Sequence, residues 1–258
     1  MSAPDRAPMT SAVSTYALRL GDDALVLAQR LSAWSSRGHD LEEDIALTNI
    51  GLDLLGQARM LLTYAGTVEG GSRTEDDLAY LREERDFTNL LLVEQPNGDF
   101  ARTIARQLLF STWQLALWEA LQSSADETLA AVAGKAVKEA DYHRDHAVQW
   151  TLRLGDGTDE SHHRMQAAVD ALWPYVDEVF TVDDVEQALV AGGVAVDAAS
   201  LRPGWDRFVD GVLAEATLTR PEDGWNPSGG RRGMHTESFG YLLSEMQHLH
   251  RSHPGATW

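Results

Sequence analysis

Residues 41–65, LEEDIALTNIGLDLLGQARMLLTYA, form the stretch that decides how the rest of the chain is interpreted. Glu42, Glu43 and Asp44 lie in its first turn, where the positive end of a helix dipole favours acidic side chains. Apolar residues then wrap most of the predicted helix, without the alternation of apolar and polar residues that is typical of strands. A helix of at least 20 residues spans about 30 Å, the length of the long helices in a four-helix bundle.

The same helical periodicity continues on both sides of this stretch. Three further long helices are predicted at residues 11–37, 99–121 and 126–154. Shorter helical segments are predicted at residues 74–94, 159–180, 181–190, 203–217 and 235–252. Thr74 and Asp77 have the spacing of a capping box at a helix start. The sequence therefore predicts an all-α fold, a four-helix bundle with additional packed helices, in a single domain over residues 11–258 that follows a disordered leader at residues 1–10.

The composition excludes several classes of function. The chain has 258 residues and a formal net charge of −19, which disfavours binding to nucleic acid or to an anionic membrane surface. It contains no cysteine, so disulfides, thiolate nucleophiles and iron–sulfur clusters are excluded. No apolar stretch is long enough to span a membrane, and no signal-peptide pattern occurs. These features predict a cytoplasmic protein.

Two predicted helices carry polar residues on an otherwise apolar background. Asn49, Asp53 and Gln57 are spaced by four residues and line one stripe of the helix at 41–65. Glu139 and His143 have the same spacing in the helix at 126–154. The stripe at 49–57 fits either a solvated face or a buried polar seam, and the Glu–His pair fits either a metal site or a hydrogen-bonded network with carboxylates on other helices. The network is the favoured interpretation of the second pair.

A di-iron site in a helical bundle requires more ligands than these positions offer. Such a site takes one carboxylate from each of two helices and a Glu-x-x-His motif from each of the other two. Asp53 is followed three residues later by Gly56, and Glu139 by Tyr142, so neither motif has its histidine. One helix upstream of Asp53 lies Asp22 or Asp23, whereas the region upstream of Glu139 is apolar. The sequence therefore predicts no metal in this chain, with Asp23, Asp53, Gly56, Glu139 and Tyr142 as vestigial positions.

Other candidate motifs are weaker. Glu245 and His248 match Glu-x-x-His alone near the C-terminus and are interpreted as a surface pair. No P-loop, Rossmann glycine pattern or nucleophile elbow occurs. The segment 220–233 is rich in glycine and proline and contains Arg231 and Arg232, which are candidates for binding an anion such as a CoA phosphate or a partner carboxylate. A mobile loop without such a role is the favoured alternative.

Several long strings carry a resemblance that covers residues 16–258, including the final Pro-Gly-x-x-Trp. They are YALRLGDDALVLAQRL (16–31), EEDIALTNIGLDLLGQAR (42–59), TNLLLVEQPNGDFARTIARQ (88–107), KEADYHRDHAVQWTLRLGDGT (138–158), LWPYV (172–176) and MHTESFGYLLSEMQ (234–247). Together they resemble the C subunits of bacterial phenylacetyl-CoA epoxidases. The chain departs from the expected pattern at His146, where a neutral or apolar residue is expected, and at His248, where an aromatic is expected.

The resemblance implies a ferritin-like fold and a non-catalytic, structural role. Such a complex epoxidises the ring of phenylacetyl-CoA with oxygen and with electrons from NADPH through a reductase subunit. The A subunit holds the di-iron centre, and the C subunit pairs with it and carries no cofactor. Some of Trp113, Trp118, Trp150, Trp173 and Trp205 are then expected to face the partner, and Lys138 is expected to neutralise the polar seam. The alternatives are an independent di-iron or di-manganese enzyme with ligands Asp23, Asp53, Glu139 and His143, a homodimer when the chain is alone, and a helical adaptor without an oxygenase connection.

Overall fold

The computed structural model describes the backbone of residues 3–256 and the side chains of residues 11–256. Within this range the chain is helical and contains no strand, which confirms the all-α class and agrees with a ferritin-like bundle. The α-helices are Ala3–Ser32 (α1), Leu41–Glu69 (α2), Glu75–Tyr80 (α3), Phe100–Leu121 (α4), Glu127–Gly155 (α5), Asp159–Leu172 (α6), Val176–Val179 (α7), Asp184–Ala191 (α8), Ala198–Glu215 (α9) and Glu237–Ser252 (α10). None of the helices in this described range has both the length and the apolar composition of a membrane span.

The start of α1 bears on the predicted leader. The backbone of α1 begins at Ala3, inside the residues 1–10 for which the sequence predicts disorder. The side chains of these ten residues lie outside the described part of the chain. The leader therefore stays a prediction, and the packed part of α1 is described from Ser11 onward.

The chain divides into two compact units rather than one continuous body of contacts. Unit 1 contains Met1–Pro96 and Gly229–Trp258, and unit 2 contains Asn97–Ser228. Unit 1 is therefore discontinuous in sequence, because its last segment follows the whole of unit 2. The single domain over residues 11–258 stays a prediction.

Unit 1 is built on an antiparallel pair of long helices, α1 and α2. The Ser14 hydroxyl near the start of α1 donates a hydrogen bond of 2.9 Å to the carbonyl oxygen of Ala65 near the end of α2. Gly21 permits close approach of the two helices, since a Cβ atom there would lie 2.9 Å from the Leu62 side chain. Asp40 caps α2 by accepting from the Glu43 N–H, and Gly70 ends the helix with a φ of 74°.

Unit 2 contains the pair α4 and α5, with α6 and α9 packed on α4. Helix α4 is buried on almost every side. Asp99 caps α4 and Asp126 caps α5 through their side chains, as the positions of the predicted helix starts require. The predicted capping box of Thr74 and Asp77 in unit 1 is also present.

Two predicted helices differ from the structure around prolines. The segment predicted as one helix at 159–180 is α6, a 3₁₀ turn at Trp173–Tyr175 and α7, because Pro174 cannot continue the backbone hydrogen bonds. The helix predicted to begin at Pro203 begins at Ala198 instead. Asp197 provides its cap by accepting from the Ala199 N–H at 3.1 Å, and Pro203 lies inside the helix.

Candidate functional site

The polar stripe of α2 changes from exposed to buried along the helix. Gln57 is fully buried, Asp53 is half-buried and Asn49 is exposed. The exposure of Asn49 does not fit a buried seam. The stripe becomes partly covered only one turn later, at Asp53. The burial of Gln57 agrees with the predicted seam at that end of the stripe.

The predicted pair on α5 is also unequal in burial. His143 is 1% exposed, whereas the Glu139 side chain keeps 18% of its surface exposed and lies 3.6 Å from the Nζ atom of Lys135. Lys138, which was expected to neutralise the seam, is exposed. The lysine that lies beside the Glu139 carboxylate is Lys135, one helical turn before it. Helices α2 and α5 belong to different units, and a joint network of their polar residues stays a prediction.

The residues at the positions that were predicted to be vestigial do not fit a di-iron centre. Both carboxylate oxygens of Asp23 accept from the Arg231 guanidinium, at 3.0 and 2.8 Å, so a cation there would have to displace a buried ion pair. Gly56 and the half-exposed Tyr142 offer no imidazole at the two Glu-x-x-His positions. In the described part of the chain, no three His, Asp or Glu residues lie close enough together to hold a metal.

A buried carboxylate of α1, Asp22, organises the segment that follows α3. Asp22 is 0% exposed and forms a two-pronged ion pair with Arg82, which is 5% exposed. The Thr88 N–H and hydroxyl also donate to Asp22, at 2.8 and 3.0 Å. The Arg82 guanidinium stacks 4.0 Å from the centre of the Phe87 ring. These contacts hold residues 82–88, which include the 3₁₀ turn Glu84–Asp86, against α1.

The neighbouring carboxylate, Asp23, holds the segment that precedes α10. Arg231 bonds both oxygens of Asp23 and also donates to the carbonyl of Thr88 at 2.9 Å. The Leu90 N–H donates to Asp23 at 2.7 Å. Burial raises the pKa of Asp23 to about 6, although Arg231 opposes that shift. The Arg231 guanidinium, a candidate for binding an external anion, is mostly buried and already paired with Asp23, so such an anion would have to compete with that carboxylate. Its role as an external contact stays a prediction. Arg232 is exposed, and its role as a contact stays a prediction.

A third buried acid, Glu94, is paired with His235. Both side chains are fully buried, and the His235 Nδ1 atom lies 2.7 Å from a Glu94 carboxylate oxygen. The other ring nitrogen faces the Phe87 carbonyl at 3.0 Å. Because both ring nitrogens face acceptors, the doubly protonated imidazolium fits this position. Burial alone lowers the pKa of His235, but the hydrogen bond and charge of Glu94 outweigh it and raise that pKa overall.

Together these contacts anchor residues 229–236, which include the end of the segment 220–233 for which a mobile loop was the favoured alternative. Glu94 also accepts from the Thr236 N–H at 2.6 Å and from the Asn89 side chain at 2.9 Å. Gly233 is required where this segment crosses residue 85, since its φ is 70° and a Cβ atom would overlap the Arg85 carbonyl oxygen. The sequence offered one signal for this network, the adjacent acids Asp22 and Asp23 inside an apolar helix.

Helix α2 exposes an apolar stripe, defined here as Leu41, Ile45, Leu52 and Leu55. These side chains are 70%, 51%, 59% and 37% exposed. Their spacings of four, seven and three residues place them on one face of the helix. A groove of about 270 Å³ adjoins the stripe, with Leu25, Tyr80 and Met246 among its lining residues. The sequence showed that apolar residues wrap most of this helix, and the structure places these four at its surface.

Comparison with known proteins gives two matches over nearly the whole chain. Residues 2–258 match the model of a family described as phenylacetic acid catabolic protein. The chain belongs to this family. It is also 49% identical over 246 residues to the C subunit of the 1,2-phenylacetyl-CoA epoxidase of Escherichia coli (strain K12), a match that covers 95% of this chain and 99% of the relative. The predicted resemblance to the C subunits is thereby confirmed.

Four of the five tryptophans that were candidates for an interface lie in the core of this family member, whereas Trp150 is partly exposed and stays a candidate. Trp113, Trp118, Trp173 and Trp205 are each at most 4% exposed and belong to the core. The tryptophan that is exposed to the greatest extent among the described residues, Trp225, was not a candidate. Its neighbours in sequence are glycine, asparagine and proline, which gave no periodic signal.

The remaining departures of this family member from the expected pattern are at the surface or close to it. His146 is half-buried on α5, with its ring 6.3 Å from that of Tyr142. His248 is exposed on α10 and lines a polar hollow of about 400 Å³ with Glu83 and Arg251. Glu245 is exposed as well, which agrees with the interpretation of Glu245 and His248 as a surface pair.

Proposed function

We propose that this chain is the C-type subunit of a cytoplasmic multicomponent monooxygenase that epoxidises the ring of phenylacetyl-CoA in phenylacetate catabolism. The single observation that carries the proposal is the 49% identity to the C subunit of the Escherichia coli 1,2-phenylacetyl-CoA epoxidase, over 95% of one chain and 99% of the other. In this role the chain pairs with the catalytic A subunit, which holds the di-iron centre, and receives no electrons itself. Oxygen and the NADPH-linked reductase act on the A subunit.

The proposed absence of catalysis in this chain is supported by the chemistry of its own residues. The acid at the first vestigial position, Asp23, is engaged by Arg231 on both oxygens. Gly56 and Tyr142 stand where two histidine ligands would be needed. A subunit of this kind acts by holding its partner's helices in position.

The proposed pairing with the A subunit is supported by the apolar stripe of α2. Exposed leucine and isoleucine side chains on one helix face are the pattern that packs against a partner helix. Fully burying a leucine or isoleucine side chain is worth about 1.5–3 kcal/mol, and roughly half of that remains available where half of the side chain is exposed. Ile45 and Leu52 together then contribute about 1.5–3 kcal/mol to association, or roughly 10- to 150-fold in affinity.

The test is co-expression with the A subunit from the same organism, followed by size analysis, metal analysis and assay of phenylacetyl-CoA epoxidation. We expect a stable complex whose iron belongs to the A subunit, and activity that requires both chains. The double variant Ile45→Ser/Leu52→Ser should weaken the complex by roughly tenfold or more. Leu249→Ser on α10, where the native side chain is 53% exposed, is the matched control.

Two results would contradict the proposal in different ways. Wild-type chain that remains separate from the A subunit at micromolar concentration would refute the pairing. Stoichiometric iron or manganese in the purified chain alone, bound with the loss of the Asp23–Arg231 pair, would favour the independent metal enzyme instead.

A further inference from the structure

Trp225 is the most exposed large apolar side chain in the described part of the chain, with 80% of its surface open to solvent. It lies in unit 2, in the non-helical segment 219–228 that follows α9. An indole ring buries about 150–250 Å² when it is covered, so leaving it in water forgoes a large hydrophobic gain. Tryptophan is also among the residues that contribute most to binding at protein interfaces.

The first end of this segment is fixed to unit 2. The Thr219 N–H donates to the Gln166 side chain at 2.8 Å, and the same side chain donates back to the Thr219 carbonyl at 2.9 Å. Arg220 bonds Asp210 at 2.8 Å and Asp206 at 3.0 Å. Thr219 and Arg220 thus make four contacts with other parts of unit 2, and these fix the direction in which the backbone leaves α9.

The second end is fixed on the other side of Trp225. The Asn226 side chain donates to Asp177, and Asp177 also receives Arg202 at 2.7 Å. On the first side of Trp225, Asp223 accepts from the Trp173 indole N–H at 3.5 Å, which adds to the contacts of Thr219 and Arg220. Trp225 is therefore presented at the tip of a segment with fixed ends, which lowers the ordering cost of a contact there.

The surface around Trp225 is acidic. Glu222 and Asp223 are exposed beside it. The nearby guanidinium groups of Arg202 and Arg220 are already paired with aspartates at the base of the segment. The exposed charged residues nearest to Trp225 in the sequence are therefore both acidic, and they disfavour an anionic lipid surface while favouring a basic protein surface.

We propose that Trp225 is an anchor that inserts into an apolar pocket rimmed by lysine or arginine on another protein subunit of the epoxidase complex. The inference rests on the proposed function, because it takes the other subunits of that complex as the source of the pocket. It adds to the α2 stripe a second contact, which lies in unit 2 and combines one indole with a negative rim. Specificity comes from the flanking acids, and the affinity comes from the indole.

The experiment places 5-fluorotryptophan in the full-length chain and follows its ¹⁹F resonances, with the Trp225 signal assigned by its loss in Trp225→Phe. In the free chain this signal should respond to exchange of water for D₂O. On addition of the other epoxidase subunits it should shift and lose that response. Trp225→Ala should weaken assembly at least tenfold, whereas Glu222→Gln/Asp223→Asn should weaken it several-fold at low salt and have little effect at high salt.

A matched control separates this site from exposed aromatics in general. Tyr241 on α10 is 71% exposed, and Tyr241→Ala should assemble like the wild type. An equal loss in Tyr241→Ala and Trp225→Ala would overturn the assignment of the anchor, as would an assembled complex in which the Trp225 signal keeps its solvent response. Wild-type chain that assembles with none of the subunits would overturn the proposed function and the anchor together, whereas failure of Trp225→Ala alone to change assembly overturns only the anchor. Unchanged melting of Trp225→Ala verifies that the variant is folded.

Discussion

Glu94→Gln removes one charge from the most enclosed ion pair among the described residues of unit 1 and keeps the size of the side chain. In the native chain one oxygen of Glu94 accepts from the Thr236 N–H, and the other accepts from His235 and from the Asn89 side chain. Glutamine has only one acceptor oxygen. If that oxygen stays opposite Thr236, the new amide N–H₂ group faces two donors that have lost their acceptor.

The magnitude follows from those two donors. A buried donor left without a partner costs about 1–3 kcal/mol, and breaking a buried ion pair by removing one partner costs about 3–5 kcal/mol. His235 recovers part of this loss because its neutral form can accept from the new amide. We therefore expect a loss of about 3 kcal/mol in the free energy of unfolding. For a chain of this size that corresponds to a decrease of roughly 6–12 °C in Tm.

Unfolding in urea, followed by far-ultraviolet circular dichroism, measures the global loss, and hydrogen exchange at the Thr236 amide measures the local one. Glu83→Gln is the matched control, since Glu83 is 76% exposed and its ion pair with Arg251 should be worth less than about 1 kcal/mol. The reasoning is refuted if Glu94→Gln costs no more than Glu83→Gln, or if exchange at Thr236 does not accelerate.

Three further predictions test other parts of the structure. Because burial raises the pKa of Asp23 to about 6 from 3.8, the folded chain holds a proton that the unfolded chain has released between these values. The unfolding free energy should therefore decrease as pH rises from about 4 to about 6, and urea titrations of Asp23→Asn should show a flatter dependence. Gly155→Ala should destabilise unit 2 by about 2–3 kcal/mol in thermal melts, since the new Cβ would overlap the Ala216 carbonyl oxygen. Gly134→Ala on the same helix places its Cβ within 4 Å of no other atom and should stabilise unit 2 by about 0.5–1 kcal/mol. Asp126→Ala should cost about 1 kcal/mol in the same melts, because the Asp126 side chain accepts from the Thr128 and Leu129 N–H groups at the start of α5.

Helix starts were the most predictable part of this fold. The capping box of Thr74 and Asp77 and the caps at Asp99 and Asp126 depend on residues at most a few positions apart, so the sequence contains the whole signal. The start of α9 was predicted at Pro203 because proline is a strong signal for the first turn of a helix. The cap at Asp197 is a weaker signal in the sequence, although it marks the actual start. Boundaries of this kind depend on which of two local signals prevails.

The candidate site was less predictable because its signals are not local. Arg231 and Asp23 are 208 residues apart, and nothing near Arg231 indicates that its charge is neutralised inside the chain. Periodicity identified the apolar residues of α2, but it cannot distinguish a helix face that packs within the chain from one that is exposed and can bind another protein. Trp225 lies in an irregular segment, where no period exists to single it out.

The discontinuity of unit 1 has a consequence for the order in which this chain can be completed during synthesis. Asp23 and Glu94 leave the ribosome more than 130 residues before Arg231 and His235, the groups that compensate their charge. A nascent chain that ends within unit 2 must therefore keep those two acids solvated or protonated, since an unpaired buried carboxylate is costly. All residues of unit 2 are synthesised before unit 1 is complete. The N-terminal helices can acquire their final packing only when the last 30 residues have left the ribosome. A stop codon shortly before Arg231 would thus remove little of the chain's length and yet leave Asp23 of the first helix, and Glu94, without the cations that compensate their charge.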